Sequence, residues 1–390
     1  MGRSKDSAQA VRQCGDECSQ CGLCVSACDL LQQTALTPGE IAQKLLAGAD
    51  SPALRDLIQR CDLCGFCTHE CPSEQNAGAF FKSARALLLE RGSLDIDGYE
   101  PILVDQDWNT FSLYRETFHI HYDDLKPARY DTLFFPGCSV ATYAPQIVHA
   151  VYDWLRAQGM AVGVTELCCG KVLESIGLEA RTAQLKRYLL AQLRAAGATR
   201  LVTACPNCHA SLSGALEGIE VISLYSLLRD AGVELSGSQK LTIHDSCADR
   251  EKGQFGGELR AMLGSHPLVE MEHSRQETIC CGSGGIVPMV APELCSQRAQ
   301  RRIEEFERTG AECMVTQCMS CSRRLSSQAQ TGQVRHCLEL LFGIAVDYEQ
   351  IAANQQSMWE GECGELNRAR LEQAKIFTEE ERGASPSATE

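Results

Sequence analysis

The second and final thirds of this chain of 390 residues repeat each other, and this repeat constrains the fold most. The segment TLFFPGC ends at Cys138, and about 109 residues later the segment LTIHDSC ends at Cys247. In each copy a Cys-Cys-Gly triplet follows about 30 residues after that cysteine, and a C-x-x-C pair follows about 35 residues after the triplet. Self-similarity at a fixed period indicates a duplicated structural unit. The chain therefore holds two copies of one domain, which we place at residues 131–238 and 239–346.

Predicted strands and helices alternate in both copies. Amphipathic helical patterns cover residues 147–157 and 179–195 in the first copy and residues 292–307 in the second copy. Strands that alternate with helices form parallel sheets, and ligand sites in such sheets lie at the carboxyl ends of the strands. The first cysteine of each copy directly follows a predicted strand. We therefore predict two small α/β domains, each with its cysteines at one edge of the sheet.

Each copy contains five motif cysteines, two of which are adjacent in sequence. Adjacent Cα atoms lie ~3.8 Å apart, whereas a relaxed disulfide spans ~4.4–6.8 Å, so a disulfide within the pair is a poor explanation. A cubane takes four thiolates, so five thiolates with an adjacent pair favour an opened or bridged polynuclear cluster, in which neighbouring thiolates reach neighbouring irons. The glycine after each pair lets the backbone turn tightly. The candidate cofactor-binding residues are Cys138, Cys168, Cys169, Cys205, Cys208, Cys247, Cys280, Cys281, Cys318 and Cys321.

Two cysteine quartets near the amino terminus share the spacing C-x2-C-x2-C-x3-C. Such runs ligate 4Fe–4S cubanes, and in two-cluster ferredoxins the fourth cysteine of each run binds the other cluster. Zinc is the weaker interpretation, because structural zinc sites use paired motifs and four ligands. Asp29 replaces the proline that usually follows the fourth cysteine, and we expect this change to affect the local turn more than ligation. We assign one cubane to Cys18, Cys21, Cys24 and Cys71, and the second to Cys28, Cys61, Cys64 and Cys67.

The sequence around the quartets predicts helices. Thr37, Pro38 and Glu40 form a T-x-x-E capping box with proline in the first turn. A second helix is predicted to begin at residues 51–52, and a third to cover residues 77–91. The predicted fold class is therefore multidomain, with an α-helical two-cluster ferredoxin domain followed by two repeated α/β cysteine-rich domains.

These patterns also set the outer domain boundaries. Residues 1–93 form the helical domain, and residues 94–130 are a connector with few helix or strand signals. The tail, residues 347–390, is acidic and then rich in Ser and Ala. Because such composition buries little apolar surface, we expect this tail to be solvated or partly disordered.

The pattern C-x(about 30)-C-C-G-x(about 35)-C-x-x-C, present twice behind two ferredoxin-type quartets, resembles the cysteine-rich CCG-domain family. This family includes the catalytic B and D subunits of heterodisulfide reductase and the iron–sulfur subunits of anaerobic glycerol-3-phosphate, glycolate and lactate dehydrogenases. The resemblance covers residues of about 14–345. The amino-terminal part is similar to the helical two-cluster ferredoxin domains of respiratory and heterodisulfide reductase subunits.

The resemblance implies both cofactors and an activity. In heterodisulfide reductases each complete motif binds a non-cubane 4Fe–4S cluster, and the two clusters together split a disulfide. Because both motifs are complete here, the resemblance implies two cubane clusters, two non-cubane clusters and an oxidoreductase subunit that reduces a disulfide. Two alternatives remain open. One is an iron–sulfur subunit that passes electrons from a flavin-dependent glycerol-3-phosphate or 2-hydroxyacid dehydrogenase to quinone, and the other is a non-enzymatic redox sensor.

Other residues have less specific roles. His209 follows Cys208 directly and His244 lies just before Cys247, so both are candidate catalytic proton donors to a leaving thiolate. The alternative for each is a hydrogen-bonded histidine at a strand end. Lys171, after the first Cys-Cys-Gly, either offsets cluster charge or is solvated. The remaining cysteines are expected to be small buried apolar residues: Cys14, Cys295, Cys313, Cys337 and Cys363.

Composition bounds the location and the partners. The chain has 23 cysteines and no amino-terminal run typical of a signal peptide, so we expect the reducing cytoplasm. A net charge of −15 argues against nucleic acid and anionic lipid as main partners. No apolar stretch approaches ~18 residues, which predicts no transmembrane segment and leaves peripheral docking to a membrane subunit open. Since no flavin or nicotinamide motif is present, we expect a flavoprotein, hydrogenase-type or other electron-donor subunit as partner.

Overall fold

The structure, a computed structural model, describes residues 4–378 except residue 331. Its amino-terminal domain is helical, as the sequence predicts. Within the described residues this domain contains seven α-helices: α1 Ser4–Glu17, α2 Leu23–Ala27, α3 Asp29–Gln32, α4 Pro38–Leu46, α5 Pro52–Gln59, α6 Phe66–His69 and α7 Ala77–Glu90.

Side-chain caps begin three of these helices. Thr37 Oγ1 accepts a hydrogen bond from the Glu40 amide at 3.3 Å, and Glu40 Oε2 accepts one from the Thr37 amide at 2.8 Å. This confirms the predicted capping box of α4. Ser51 caps α5 and Asn76 caps α7. Each cap satisfies an amide group that has no partner within its own helix.

The connector contains more regular structure than the sequence predicts. It forms helix α8 (Thr110–Thr117) and two short 3-10 turns, Glu100–Ile102 and Asp123–Leu125. The aromatic residues of α8 hold it in place, since Tyr114 lies 5.0 Å from Tyr143 between ring centres. Propensity alone missed α8 because tertiary packing of aromatic side chains stabilises it.

The first cysteine-rich copy is an α/β domain. Its strands are β1 Thr132–Phe135, β2 Val162–Val164, β3 Arg200–Thr203 and β4 Glu220–Ser223. They form a fully parallel sheet in the order β2-β1-β3-β4. Its described helices are α9 Cys138–Tyr143, α10 Pro145–Ala157, α11 Lys171–Ile176, α12 Glu179–Ala196, α13 Pro206–Leu212 and α14 Leu224–Asp230.

The second copy has the same topology with one strand fewer in its described residues. Its strands are β5 Leu241–His244, β6 Cys313–Thr316 and β7 Val334–His336, which form a parallel sheet in the order β5-β6-β7. Two 3-10 turns cover Cys247–Asp249 and Arg275–Glu277. The helices are α15 Gln254–Ala261, α16 Val287–Val290, α17 Pro292–Thr309, α18 Met319–Ser326 and α19 Cys337–Phe342.

The repeat prediction is confirmed at the level of single elements. The predicted helices at 179–195 and 292–307 correspond to α12 and α17, and both sheets are parallel. Strands β5, β6 and β7 match β1, β3 and β4 in order. Where β2 would pair, the second copy has an isolated parallel bridge between Leu241 and Leu268.

The expectation of a solvated or partly disordered tail is wrong for residues 348–372. Helices α20 (Tyr348–Ser357) and α21 (Gly361–Glu372) follow the second copy. Their polar side chains bond to the connector and the first copy, as when Asn354 Nδ2 donates to Tyr114 Oη at 3.1 Å. Composition hid these helices because their few apolar residues, such as buried Ile351 and Met358, stand among polar ones and join the shared core through tertiary packing. The final segment, residues 379–390, lies outside the described residues.

The two repeats share one hydrophobic core. Buried Phe134 and Val202 of the first sheet and Ile243 and Val315 of the second belong to the same cluster of packed side chains. A separate cluster joins the helical domain to the second copy, through residues such as Leu294 of α17. No helix in the described residues is long and apolar enough to cross a membrane.

Candidate iron–sulfur cluster sites

The cysteines of the first copy gather at the carboxyl edge of its sheet. Cys138 follows β1 and begins α9, and Cys205 follows β3 and precedes α13. The adjacent cysteines turn to different partners. Cys168 Sγ lies 3.8 Å from Cys138 Sγ, whereas Cys169 contacts Cys208 through its side chain. One pair of neighbouring residues therefore reaches two sides of the site.

The second copy repeats this arrangement. Cys247 follows β5, and Cys318 follows β6. Cys280 contacts Cys247, whereas Cys281 Sγ lies 3.2 Å from Cys321 Sγ. Because the adjacent cysteines divide in the same way in both copies, the two sites have the same internal design.

The surroundings of these thiols fit a bulky polynuclear cluster. Gly170 and Gly282, which follow the adjacent pairs, both have φ of +81°, a left-handed conformation that glycine adopts without strain. A Cβ at Gly137 would lie 3.1 Å from Cys205 Cβ and 3.2 Å from Cys208 Sγ, so only glycine leaves this edge open. All 23 cysteines are free thiols. Converging free thiols are the donor set that iron–sulfur clusters use.

The amino-terminal cysteines form two groups, and each group mixes the two sequence quartets. In the first group, burial raises the pKa of Cys24 to about 11, and nearby thiolates add to the rise: Cys18, Cys21 and Cys71. In the second group, burial raises the pKa of Cys67, and its nearest thiolates act in the same direction: Cys61, Cys64 and Cys28. These groups match the exchange of fourth cysteines expected for a two-cluster ferredoxin.

The four cysteine groups lie in a row. The charge of Cys24 in the first group acts on a thiol of the second group. A hydrogen bond between Cys64 and Cys280 joins the second group to the second copy and lowers the pKa of Cys64 to about 7. Cys318 in turn contacts Cys205 of the first copy. The order in space is thus first group, second group, second copy and first copy, which differs from the order along the chain.

One cavity of about 850 Å³ opens between the two copies. All ten cysteines of the two copies line it. Ser139 and Ser320, one from each copy, lie 3.0 Å apart between their hydroxyl oxygens, and Asn207 Nδ2 lies 3.9 Å from Cys318 Sγ. The two sites therefore face each other across a shared space. The cationic residues of its wall are Lys82, Lys171, Arg250 and Lys252, and the acidic ones are Asp62, Glu174 and Glu251.

The two histidines that the sequence marked as proton donors do not line this cavity. His209 Nδ1 is 2.9 Å from Thr203 Oγ1, and its ring packs 5.3 Å from the ring of Phe255. His244 Nδ1 accepts a hydrogen bond from Arg302 Nε at 2.9 Å. Among the described residues that line the cavity, neither histidine is found. Direct proton donation by either histidine stays a prediction. His209 lies in α13 and its hydrogen-bond partner Thr203 ends β3, as in a structural histidine.

His336 is a cavity residue that the sequence analysis missed. It ends β7, is fully buried, and its Nδ1 accepts a hydrogen bond from the Leu338 amide at 3.3 Å. Burial lowers the pKa of His336 to about 4, so the ring is neutral and Nε2 carries the hydrogen. Nε2 has no hydrogen-bond partner in the described residues. The strand-end rule would have found it, had the short strand β7 been recognised.

A buried ion-pair network joins the helical domain to the second copy. Arg298 of α17 pairs with Asp29 at 2.7 Å and also with Asp62. Cys280 Sγ donates to Asp62 Oδ2 at 3.3 Å, so the network reaches a motif cysteine. Burial raises the pKa of Asp29, but the Arg298 guanidinium outweighs burial and leaves this pKa below its usual range. The residue that replaces the ferredoxin proline therefore links two domains. No local pattern reveals this, because 269 residues separate the partners.

The structure also places Lys171 and the five cysteines outside the motifs. Lys171 lines the cavity, lies 3.5 Å from Glu174, and its charge helps to lower the pKa of Cys169 after the larger effects of neighbouring thiols. Four of the five other cysteines are buried, whereas Cys363 is half-buried. The buried ones are Cys14, Cys295, Cys313 and Cys337.

Comparison with known families matches both parts of the chain. The cysteine-rich domain family CCG matches residues 132–213 and again residues 241–326. A 4Fe–4S dicluster domain family matches residues 15–75. The matched ranges include all the cysteines of the two quartets and of the two repeats.

Several curated proteins are similar over most of the chain. The D subunit of the dihydromethanophenazine:CoB–CoM heterodisulfide reductase of Methanosarcina acetivorans is 25% identical over 80% of this chain and 88% of its own length. The B subunit of the CoM/CoB fumarate reductase of Methanothermobacter marburgensis is 24% identical over 83% of this chain and 71% of its own length. The glycolate oxidase iron–sulfur subunit of Escherichia coli is 24% identical over 54% of this chain and 56% of its own length. The chain is therefore an electron-transferring iron–sulfur member of the oxidoreductase family that combines a 4Fe–4S dicluster domain with two cysteine-rich CCG domains.

Proposed function

We propose that this chain is the subunit of an oxidoreductase complex that reduces a disulfide in the cavity between its two CCG domains. The observation that carries this proposal is that all ten motif cysteines line one cavity, with a set of five on each wall. A disulfide has two sulfur atoms that must separate, and a cavity with two similar facing sites offers one site to each sulfur. A chain that only relays electrons has no need for two facing sites.

The grouping of the cysteines supports an assignment of clusters to them. We propose that Cys18, Cys21, Cys24 and Cys71 hold one cubane, that Cys28, Cys61, Cys64 and Cys67 hold a second, and that each CCG set of five cysteines holds a non-cubane 4Fe–4S cluster. When bound, these clusters would supply single electrons along the row of cysteine groups to the cavity. The contacts between Cys64 and Cys280 and between Cys318 and Cys205 support this order.

The reaction also needs protons. Reduction of one disulfide takes up two electrons and two protons, breaks one S–S bond and yields two thiols. His336 holds a hydrogen on Nε2 at the cavity wall, which suits it to hydrogen bond a sulfur that carries negative charge. Lys171 and Lys252 line the same cavity, and as ammonium groups they can attract acidic substrates and release protons to thiolates. Four Lys and Arg side chains on the wall outnumber three acidic ones, and one of the three, Asp62, already pairs with Arg298, so the wall favours a disulfide that carries acidic groups.

The electrons come from a partner subunit in this proposal. Relatives of this chain are named as subunits of larger reductases, and one similar protein is the C2 subunit of a hydrogen/formate-linked heterodisulfide and ferredoxin reductase. A flavoprotein or hydrogenase-type donor that docks near the first cubane group fits the row of cysteines. Cys21 is exposed there, which gives a donor a short approach.

A rival function has its own observation. The glycolate oxidase iron–sulfur subunit is 24% identical to this chain, in an alignment that covers 54% of this chain. A chain of that kind would take electrons from a flavin-dependent dehydrogenase and pass them to quinone. The two functions differ in which acceptor enters the cavity.

Anaerobic dye oxidation by the intact, cluster-loaded protein separates these functions. With reduced methyl viologen as donor, we expect oxidised glutathione, an acidic disulfide, to re-oxidise two viologen radicals per disulfide and release two thiols. Cystamine, a cationic disulfide of the same reactivity, serves as the matched control and should react more slowly. Oxidation by menadione without oxidation by any disulfide would establish the relay, and oxidation by neither would also rule out our proposal.

A further inference from the structure

The site of the second CCG domain has a polar wall behind it, on the side away from the cavity. His244 ends β5 and is 1% exposed, and Arg302 of α17 is fully buried beside it. Arg302 Nε donates to His244 Nδ1 at 2.9 Å, and Arg302 also donates to Glu305 at 2.5 Å. Glu305 is held in turn by His273, whose Nδ1 lies 2.7 Å away. These contacts fix the position of the His244 ring.

The His244 ring also lies close to two motif cysteines. A ring nitrogen of His244 and the sulfur atoms of Cys281 and Cys321 all lie within 4.8 Å of one another. Because Nδ1 uses its lone pair to accept from Arg302, the neutral imidazole carries its hydrogen on Nε2. A nitrogen that carries hydrogen donates a hydrogen bond and does not bind iron. His244 is therefore set to donate to a thiolate.

The first CCG domain lacks this wall. The residue that corresponds to His244 at the end of β1 is Phe135, and the residue that corresponds to Arg302 on α12 is Leu189. Both are buried apolar side chains of the first domain. The two sites have matching cysteines but different side chains behind the sheet edge, a polar pair in the second domain and an apolar pair in the first. The charge near the first site comes instead from Lys171 at the cavity.

We propose that His244, held by Arg302, donates a hydrogen bond to the Cys281 thiolate and makes the second CCG cluster easier to reduce than it would be without this donor. Hydrogen bonds to the sulfur atoms of a cluster, and positive charge near it, stabilise the reduced state. His244 is a positioning residue in this account, because it acts through Cys281 and does not touch the cavity. The inference needs a cluster at Cys281, but it does not depend on the acceptor being a disulfide.

The test compares two replacements that mimic different ring nitrogens. His244→Asn keeps an acceptor for Arg302 at the Nδ1 position and removes the donor to Cys281, whereas His244→Gln places an amide donor near the Nε2 position. Anaerobic redox titrations followed by EPR give the reduction potential of each CCG cluster. We expect His244→Asn to lower the potential of one CCG cluster so that its reduced-to-oxidised ratio falls about tenfold at a fixed potential, or 59 mV for one electron. His244→Gln should restore most of this shift.

Two controls make the result specific. The first control is His209→Asn. His209 follows Cys208 of the first CCG domain, but its ring bonds Thr203 and no motif cysteine, so the replacement should not shift the reduction potential of either CCG cluster. Pulsed EPR of the unmodified protein with 15N-labelled histidine should show a weak nitrogen coupling to one CCG cluster, lost in His244→Gln. Strong coupling typical of an iron-bound nitrogen, no coupling, or equal potentials in the native and His244→Asn proteins would each overturn the proposal.

Discussion

Single buried residues hold the domains of this protein together. Arg85 of α7 is fully buried, and its guanidinium donates to the carbonyl oxygens of Ile58 and Gln59 at 3.0 Å. The same side chain donates to the Ser175 carbonyl of the first CCG domain at 2.6 Å, and to that of Cys61. Burial lowers the pKa of Arg85, but arginine stays charged at neutral pH. One side chain thus satisfies carbonyls on both sides of a domain boundary.

Replacement of Arg85 should therefore lower the free energy of unfolding by more than the replacement of an exposed arginine does. We expect Arg85→Met to lower the free energy of unfolding by roughly 3 kcal/mol, because several buried carbonyls lose their donor. Arg55→Met is the matched control, since Arg55 forms only a partly exposed pair with Asp50 at 3.1 Å, and should cost less than about 1 kcal/mol. Guanidinium denaturation of the anaerobic, cluster-loaded proteins measures both. Equal midpoints for the two variants would contradict the role of Arg85.

At the scale of elements, helix α17 docks the ferredoxin-type domain on the second CCG domain. Its Arg298 pairs with Asp29 at the start of α3 and with Asp62 in the loop before α6. Its apolar face adds Leu294 to the core of the helical domain. This docking brings Cys64 of the second amino-terminal cysteine group to Cys280.

Asp29→Ala should weaken the contact between the ferredoxin-type domain and the second CCG domain without removing any candidate cluster-binding cysteine. We expect the connector, residues 94–130, to be cleaved several-fold faster by a protease, because loss of one partner leaves the Arg298 charge less well paired. The matched control is Asp56→Ala, since Asp56 pairs with Arg60 inside the helical domain at 3.3 Å and is well exposed. Limited proteolysis and iron analysis of both proteins measure the effect. Unchanged cleavage in Asp29→Ala would show that the apolar contacts of α17 suffice.

The sequence predicted the elements better than their contacts. Helix α12 and the capping box of α4 follow from local periodicity and capping residues, which need no partner elsewhere. Helices α20 and α21 were missed because both their polar contacts and their apolar contacts are with residues distant in sequence. The repeat located ten motif cysteines, but the way that its two copies face each other depends on packing that leaves no periodic signal. His336 and Arg298 were missed for the same reason.

At the scale of the whole molecule, four cysteine groups form a series that ends in an enclosed cavity. If each group holds one four-iron cluster, the protein purified without oxygen should contain about sixteen irons and as many labile sulfides. Iron and acid-labile sulfide analysis measures this. Zinc in stoichiometric amounts with little sulfide would be incompatible with the iron–sulfur assignment. A value near eight would restrict the clusters to the ferredoxin-type domain.

In our proposal the amino-terminal groups relay electrons and the CCG groups react at the cavity. Replacement of Cys169 or Cys281 by serine should abolish turnover with a disulfide and leave the cubane EPR signals of the amino-terminal domain intact, because these cysteines belong to the CCG sites. Cys363→Ser is the matched control, since Cys363 is half-buried at α21 and far from the motifs in sequence. It should retain full turnover. Loss of the cubane signals in Cys169→Ser would contradict this division.

The two walls of the cavity come from one polypeptide. In a cavity formed by two identical chains, two-fold symmetry would repeat each side chain of one wall on the other. Covalent linkage removes that requirement, so Phe135 can stand behind one wall and His244 behind the other. A ligand whose two ends differ can therefore be held in a single orientation, which a symmetric enclosure cannot enforce.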